Sequence, residues 1–154
     1  MRPDIAPLAG HVHVEMPDVE FTILGKRDAR YLRNILTTPN LAVLRSAILN
    51  FIMAGIIRQH QIGESRQYKC AMIVHTETSK EKHAWQQDLV TSLLKELHAW
   101  ALDPAKRGQL DALLGSAYDN LEISVNAAGL SVPTKASALQ NTAAAIRDGY
   151  VVAK

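Results

Sequence analysis

The chain has 154 residues, of which 47% are hydrophobic and 21% are charged. This is about the length of one domain, and the composition excludes wholesale disorder, collagen and a coiled-coil fibre. The 17 Lys and Arg against 15 Asp and Glu give a formal charge of +2, which is too weak to argue by itself for a nucleic acid or an anionic membrane as a partner. The one cysteine, Cys70, excludes an internal disulfide framework and a multi-thiolate metal site.

Neither a leader nor a membrane-spanning segment is predicted. The first residues, Met1 to Asp4, lack the basic and apolar run of a secretory signal. The longest apolar stretch, Leu41 to Ile57, contains Arg45 and Asn50 and is shorter than a membrane crossing requires. We therefore expect an intracellular, cytoplasmic chain with no membrane partner.

The N-terminal part has little helical character. Residues 1–28 are predicted to be an extended segment, with short strands at His11 to Glu15 and at Val19 to Leu24. Residues 29–154 are predicted to be one helix-rich α/β domain.

Two helices are predicted at the start of that domain. Tyr31 to Leu36 has helical spacing and ends before Pro39, and Asn40 is a suitable N-cap for a long helix from Leu41 to about Gln61. That helix is apolar on most of its sides, which is typical of a helix buried between layers.

The segment Tyr68 to His75 is predicted to be the central strand. Its apolar run barely alternates, as expected for an inner strand covered on both faces, so Cys70 is expected to be an inert buried thiol. A helix follows, with Thr78 or Ser79 as its N-cap. An amphipathic stripe on this helix comprises Trp85, Leu89, Leu93, Leu97 and Trp100.

Two more helices complete the domain. Asp103-Pro104 separates the amphipathic helix from one over about Ala105 to Asn126, and Pro133 is predicted to open the last helix at a first-turn position. Tyr150 to Ala153 reads as the beginning of another strand. We therefore expect the domain to be truncated at its C-terminus and its few-stranded sheet to be parallel.

The end of the central strand is the best candidate for a binding site, because ligands gather outside the carboxyl ends of strands in open α/β sheets. Hydroxyl groups and the free amides of a helix N-terminus there would suit a phosphate, although the Glu77 carboxylate opposes one. The alternative is that the hydroxyls only cap the helix. The candidate nucleic-acid-binding residues are His75, Thr76, Thr78, Ser79, Lys80 and Lys82.

A second basic set has two interpretations. Lys26, Arg27, Arg30 and Arg33 surround a predicted helix and would suit backbone phosphates. They would equally form a solvated helix face.

No catalytic residue or bound cofactor is predicted. Nucleotide-binding glycine motifs and the nucleophile-elbow motif are absent from the sequence. His11, His13 and Glu15 permit a metal-binding set, but histidines on an exposed strand face explain the pattern as well. Asp18 and Glu20 match the carboxylate arrangement of a magnesium nuclease poorly. We therefore expect no metal in the chain.

The stretch Leu41 to Trp100 resembles the Z-one domain of predicted endonucleases, which accompanies superfamily-two helicase-like ATPase modules in bacterial and phage DNA-handling and defence proteins. The likeness rests on Leu44 to Ile48 with Phe51, and on the strand that ends Met72-Ile73-Val74-His75. Thr76-Glu77-Thr78 departs from the usual continuation of the family. The resemblance implies part of a helicase second lobe with inserted helices.

The function that the resemblance implies is DNA processing. The chain would be a non-catalytic part of an endonuclease, a hydrolase, whose ATP and magnesium belong to a missing ATPase lobe that it packs against. By itself it is expected to hydrolyse neither ATP nor DNA. The alternative is a non-enzymatic helical interaction module, with the apolar helix Leu41 to Ile57 as the partner surface.

Overall fold

A computed structural model describes residues 14–74 and 80–153, and 71% of these residues are helical. The described residues also form short 3₁₀ turns at Ala29–Leu32, Pro39–Leu41 and Pro104–Lys106. The α-helices within the described residues are α1 (Asp18–Gly25), α2 (Ala42–Ile62), α3 (Lys80–Leu102), α4 (Arg107–Ala127) and α5 (Lys135–Arg147). These residues contain no strand, so the predicted α/β fold with a parallel sheet is wrong.

The four long helices form a bundle. Helices α4 and α5 pack against each other, and each also packs against both α2 and α3, so α2 and α3 flank this central pair. The short α1 packs on α3 and on the 3₁₀ turn that precedes α2. Fully buried leucines from α3 and α4 fill the centre of the bundle: Leu89, Leu93, Leu97, Leu110 and Leu114.

The predicted amphipathic stripe of α3 is confirmed. Its first four members are buried and Trp100 is partly buried against the core. Trp85 also donates a hydrogen bond from Nε1 to the carbonyl of Ile23 at 2.7 Å. This bond satisfies the buried indole N–H and joins α3 to α1.

The predicted strand Val19 to Leu24 is wrong, because these residues lie in α1. Glu20, Ile23 and Leu24 are its buried side chains, at the i, i+3 and i+4 spacing of one helix face. A carboxylate occupies one position of that face, so the apolar residues alone show no helical period.

Helix α2 begins differently from the prediction. The side chain of Thr38 caps the 3₁₀ turn by accepting from the amide of Asn40, so Asn40 is not the N-cap of a longer helix. The Glu20 carboxylate instead accepts from the amides of Val43 at 3.1 Å and Leu44 at 2.7 Å. A side chain more than twenty positions away in sequence therefore satisfies two of the orphan amides at the start of α2.

Helix α2 is strongly apolar, and 39% of its most apolar 18-residue window is buried in the structure. The segment Pro39–Ile62 is long and apolar enough to cross a membrane, with a mean hydropathy of 1.7, a test that core helices of soluble proteins also pass. Its buried side chains face the α4 and α5 side of the bundle. None of its large apolar side chains is among the exposed ones.

The predicted central strand Tyr68 to His75 is wrong as far as the described residues go. Up to Val74 this segment is irregular and mostly exposed, and the side chain of Ile73 is 88% exposed. The side chain of Gln59 attaches the beginning of this segment to α2. Its Nε2 donates to the carbonyls of Gly63 and Arg66, both at 2.7 Å, and its Oε1 accepts from the amide of Tyr68. An apolar run becomes a strand only where another strand pairs with it, and the described residues supply none.

The expectation of a buried Cys70 is also wrong, because this residue is exposed. We expect Ellman's reagent to modify one thiol per chain in buffer without denaturant, since the thiol lies on an unpaired segment that solvent reaches. Time-resolved absorbance at 412 nm, with and without urea, measures this. A thiol that reacts only after unfolding would contradict the exposed position of the segment.

The second half of the chain follows the prediction more closely. Asp103-Pro104 separates α3 from α4, as predicted. The side chain of Asp103 caps the 3₁₀ turn between the two helices. Helix α5 starts at Lys135 with Thr134 as its N-cap, so Pro133 precedes the helix rather than opening it. The carbonyl of Pro133 accepts from the Tyr118 hydroxyl at 2.7 Å. Tyr150 to Ala153 is not a strand.

Candidate nucleic-acid interface

The predicted phosphate site lies largely outside the described residues, which omit His75, Thr76, Thr78 and Ser79. Of the candidates, Lys80 is the exposed first residue of α3, and Lys82 in its first turn is half-buried. The described part of this site is therefore the basic start of a long helix.

The structure brings α3, near Asp88, beside the second basic set. Helix α3 packs against α1 and against the turn Ala29–Leu32. Between these elements, Arg27 forms an ion pair with Asp88 of α3 at 3.3 Å. Lys80 lies about 12 Å along the helix from Asp88. Two basic sets that are some fifty positions apart in sequence thus occupy neighbouring elements. We name them together the basic surface: Lys26, Arg27, Arg30, Arg33, Lys80 and Lys82.

The members of the basic surface differ in whether a carboxylate already neutralises their charge. Asp88 pairs with Arg27, and Asp28 pairs with Arg30 at 2.6 Å. Within the described residues, the exposed Lys26, Arg33 and Lys80 form no ion pair. These three cations are therefore the ones available to an anionic partner. Glu81, exposed in the first turn of α3, opposes them.

The pair of Asp28 and Arg30 is neutral over the ordinary pH range. Arg30 donates three side-chain hydrogen bonds to the Asp28 carboxylate, at 2.6 to 3.1 Å. These bonds lower the pKa of Asp28 to about 2 and raise the pKa of Arg30. Both groups consequently stay charged, and their charges cancel, down to about pH 2.

A polar hollow of about 470 Å³ lies next to this pair. The segment that lines it is held to α2, because Arg45 donates from Nη1 to the carbonyls of Ile35 at 3.2 Å and Thr38 at 2.8 Å. Partial burial lowers the pKa of Arg45, and the nearby Glu20 carboxylate offsets this. We name this feature the 30–39 hollow; its lining residues are Arg30, Tyr31, Asn34, Thr37, Thr38 and Pro39.

The metal-binding alternatives receive no support from the described residues, where no group of three or more His, Cys, Asp or Glu could hold a metal ion. His11 and His13 lie outside these residues, and Glu15 is exposed. Both oxygens of Glu20 are occupied by amides of α2. Glu20 is therefore a structural cap rather than a magnesium ligand.

Comparison with known proteins adds no relative. No protein-family model, curated protein or solved structure matches the chain. The resemblance to the Z-one domain stays a prediction.

Proposed function

We propose that the chain is a non-catalytic helical part of a protein that acts on DNA, and that its basic surface contacts the DNA backbone. The observation that carries this proposal is that Lys26 and Arg33 directly follow two elements that pack against α3, the helix whose first residue is the exposed Lys80. The resemblance to the Z-one domain supports the choice of DNA. Any ATP-dependent or nuclease chemistry is assigned to other parts of such a protein.

The physical basis is the attraction of unpaired cations to phosphates. Each phosphate that a Lys or Arg neutralises releases condensed counterions, so binding weakens as salt rises. Three contacts to duplex DNA would make the affinity about 40-fold weaker at 200 mM than at 50 mM salt, since the logarithmic slope is about −0.9 per contact. Such contacts are independent of sequence, and they position a protein on DNA rather than specify a site.

The test removes the three unpaired cations together. We expect the triple variant Lys26→Ala, Arg33→Ala and Lys80→Ala to lose most of its affinity for a fluorescein-labelled 20-base-pair duplex. The slope of log affinity against log salt, which is negative, should decrease in magnitude by about 3. Fluorescence anisotropy between 50 and 200 mM NaCl measures both quantities.

A matched control separates these positions from net charge. The triple variant Arg58→Ala, Arg66→Ala and Lys95→Ala removes the same charge from exposed positions elsewhere on the chain. It should keep the affinity and the salt slope of the unmodified chain. The proposal is overturned if the two triple variants bind alike, or if the unmodified chain does not bind DNA at 50 mM salt.

The second candidate is an interaction module, favoured by a different observation. Tyr68, Met72 and Ile73 expose apolar side chains on one irregular segment. None of the large apolar side chains of α2 is exposed to that degree. We therefore place the partner surface on this segment rather than on α2. If it drives self-association, sedimentation velocity should show concentration-dependent association that Ile73→Ser abolishes, together with no DNA binding.

A further inference from the structure

We infer that the 30–39 hollow takes an unstacked base of single-stranded nucleic acid. This inference rests on the proposed function, because the neighbouring cations must first hold the sugar-phosphate backbone. The inference goes beyond the proposed function in two ways. It predicts that the chain prefers a single strand to a duplex, and it assigns a role to Tyr31 and Asn34, which contact with backbone phosphates does not require.

The charge of the hollow selects a base rather than a phosphate. Arg30 lines the hollow, but the Asp28 carboxylate, which accepts three hydrogen bonds from Nε and Nη2, cancels its charge. A phosphate that entered would be repelled by this carboxylate and would meet no net positive charge from the pair. The other lining groups are uncharged: a phenol, an amide, two hydroxyls and a proline ring. A neutral partner with its own donors and acceptors fits this lining, and a nucleobase edge is such a partner.

The lining offers both a stacking surface and a free hydrogen-bonding group. Tyr31 is half-buried and packs against the core, so its ring is held in place. Bases stack on such rings without regard to sequence. The side-chain amide of Asn34 is exposed and makes no hydrogen bond within the described part of the chain. It can therefore both donate to and accept from a base edge.

The hollow is preorganised, so a base would enter without a large ordering cost. The backbone carbonyl of Asn34 accepts from the amides of Thr37 at 3.0 Å and Thr38 at 2.8 Å, which closes the turn. Arg45 donates hydrogen bonds to two carbonyls of the same segment, and Ile35 anchors it in the core at 0% exposure. The unpaired Arg33 lies on the same turn, in position for the backbone of the strand.

The nucleic acid is single-stranded for a geometric reason. In a duplex the bases are stacked and paired, and the convex surface presents phosphates, so no base reaches a hollow without being unstacked. A single strand exposes base faces and edges at little cost.

The test compares one 12-nucleotide mixed-sequence DNA as a single strand and as a duplex with its complement, by fluorescence anisotropy at 50 mM salt. We expect the unmodified chain to bind the single strand more tightly. Tyr31→Ala should weaken single-strand binding about 5-fold or more and leave duplex binding unchanged, because one stacked base contributes about 1–3 kcal/mol. Tyr31→Phe keeps the ring and should bind as the unmodified chain does.

Asn34→Ala tests the same hollow without the risk that Tyr31→Ala disturbs folding, because the side chain of Asn34 is exposed. It should weaken only single-strand binding, while the matched Asn126→Ala, exposed at the end of α4, should change nothing. Equal affinity for both DNAs, or unchanged single-strand binding in both Tyr31→Ala and Asn34→Ala, overturns the inference. If the triple variant at Lys26, Arg33 and Lys80 still loses binding in that case, the proposed function survives; if it does not, both fail.

Discussion

Glu20→Ala is expected to lower the free energy of unfolding by about 2 to 4 kcal/mol. The substitution removes two hydrogen bonds from a carboxylate that is 1% exposed, and it leaves the amides of Val43 and Leu44 without their acceptor. An unsatisfied buried donor costs about 1–3 kcal/mol, and loss of a helix cap costs about 0.5–2 kcal/mol. Urea denaturation followed by circular dichroism measures the effect.

Two further variants define the role of Glu20. Glu20→Gln retains an acceptor oxygen and should recover about half of the loss, because hydrogen bonds to a charged group are about twice as strong as neutral ones. Glu64→Ala removes the same charge from an exposed loop position and should change stability by less than about 0.5 kcal/mol. Equal effects of Glu20→Ala and Glu64→Ala would show that no such cap exists.

The second large effect is expected at the centre of the bundle. Leu93→Ala should lower the free energy of unfolding by about 3 to 4 kcal/mol, because Leu93 is 0% exposed among neighbours from several helices. Leu→Ala substitutions in cores cost about 2–5 kcal/mol, depending on how far the site collapses. The urea midpoint should fall while the denaturant dependence stays unchanged.

Leu102→Ala is the matched control for Leu93→Ala. Leu102 ends the same helix with 57% of its surface exposed, so its truncation should change stability by less than about 0.5 kcal/mol. A small loss at Leu93, or equal losses at both positions, would contradict the burial of the α3 stripe.

The four long helices could be predicted because each of them carries its own local signal. The stripe from Trp85 to Trp100 repeats every three or four residues, and Asp103-Pro104 ends the pattern, so α3 and its boundary follow from local sequence. Helix α1 could not be found in this way. Its inward face includes Glu20, and a hydrophobic pattern does not recognise a carboxylate as a core residue.

The mistaken strand has a different cause. The run from Cys70 to Val74 has the composition of an inner strand, but a short apolar run does not decide its own secondary structure. A strand requires hydrogen bonds to a neighbour, and the described residues offer no neighbouring strand. The same composition therefore lies exposed beside α2 rather than in a sheet.

The sequence showed the two basic clusters of the candidate interface but not that they lie on neighbouring elements. Lys26 to Arg33 and Lys80 to Lys82 each read as a small basic cluster, and either one suits a solvated surface equally well. Local sequence carries no information about which distant cations become neighbours or which acids neutralise them. The pairing of Arg30 with Asp28 lies within two residues, and an Asp-x-Arg spacing could have signalled it.

The amino-acid sequence alone determined approximately where the long helices run and, for α3, which face turns inward, because helix propensity and apolar periodicity act over one or two turns. Only the tertiary structure decided that Glu20 caps α2, that Tyr68 to Val74 stays outside any sheet, and that two basic segments come together. Each of these depends on groups that are distant along the chain and meet only when the helices pack.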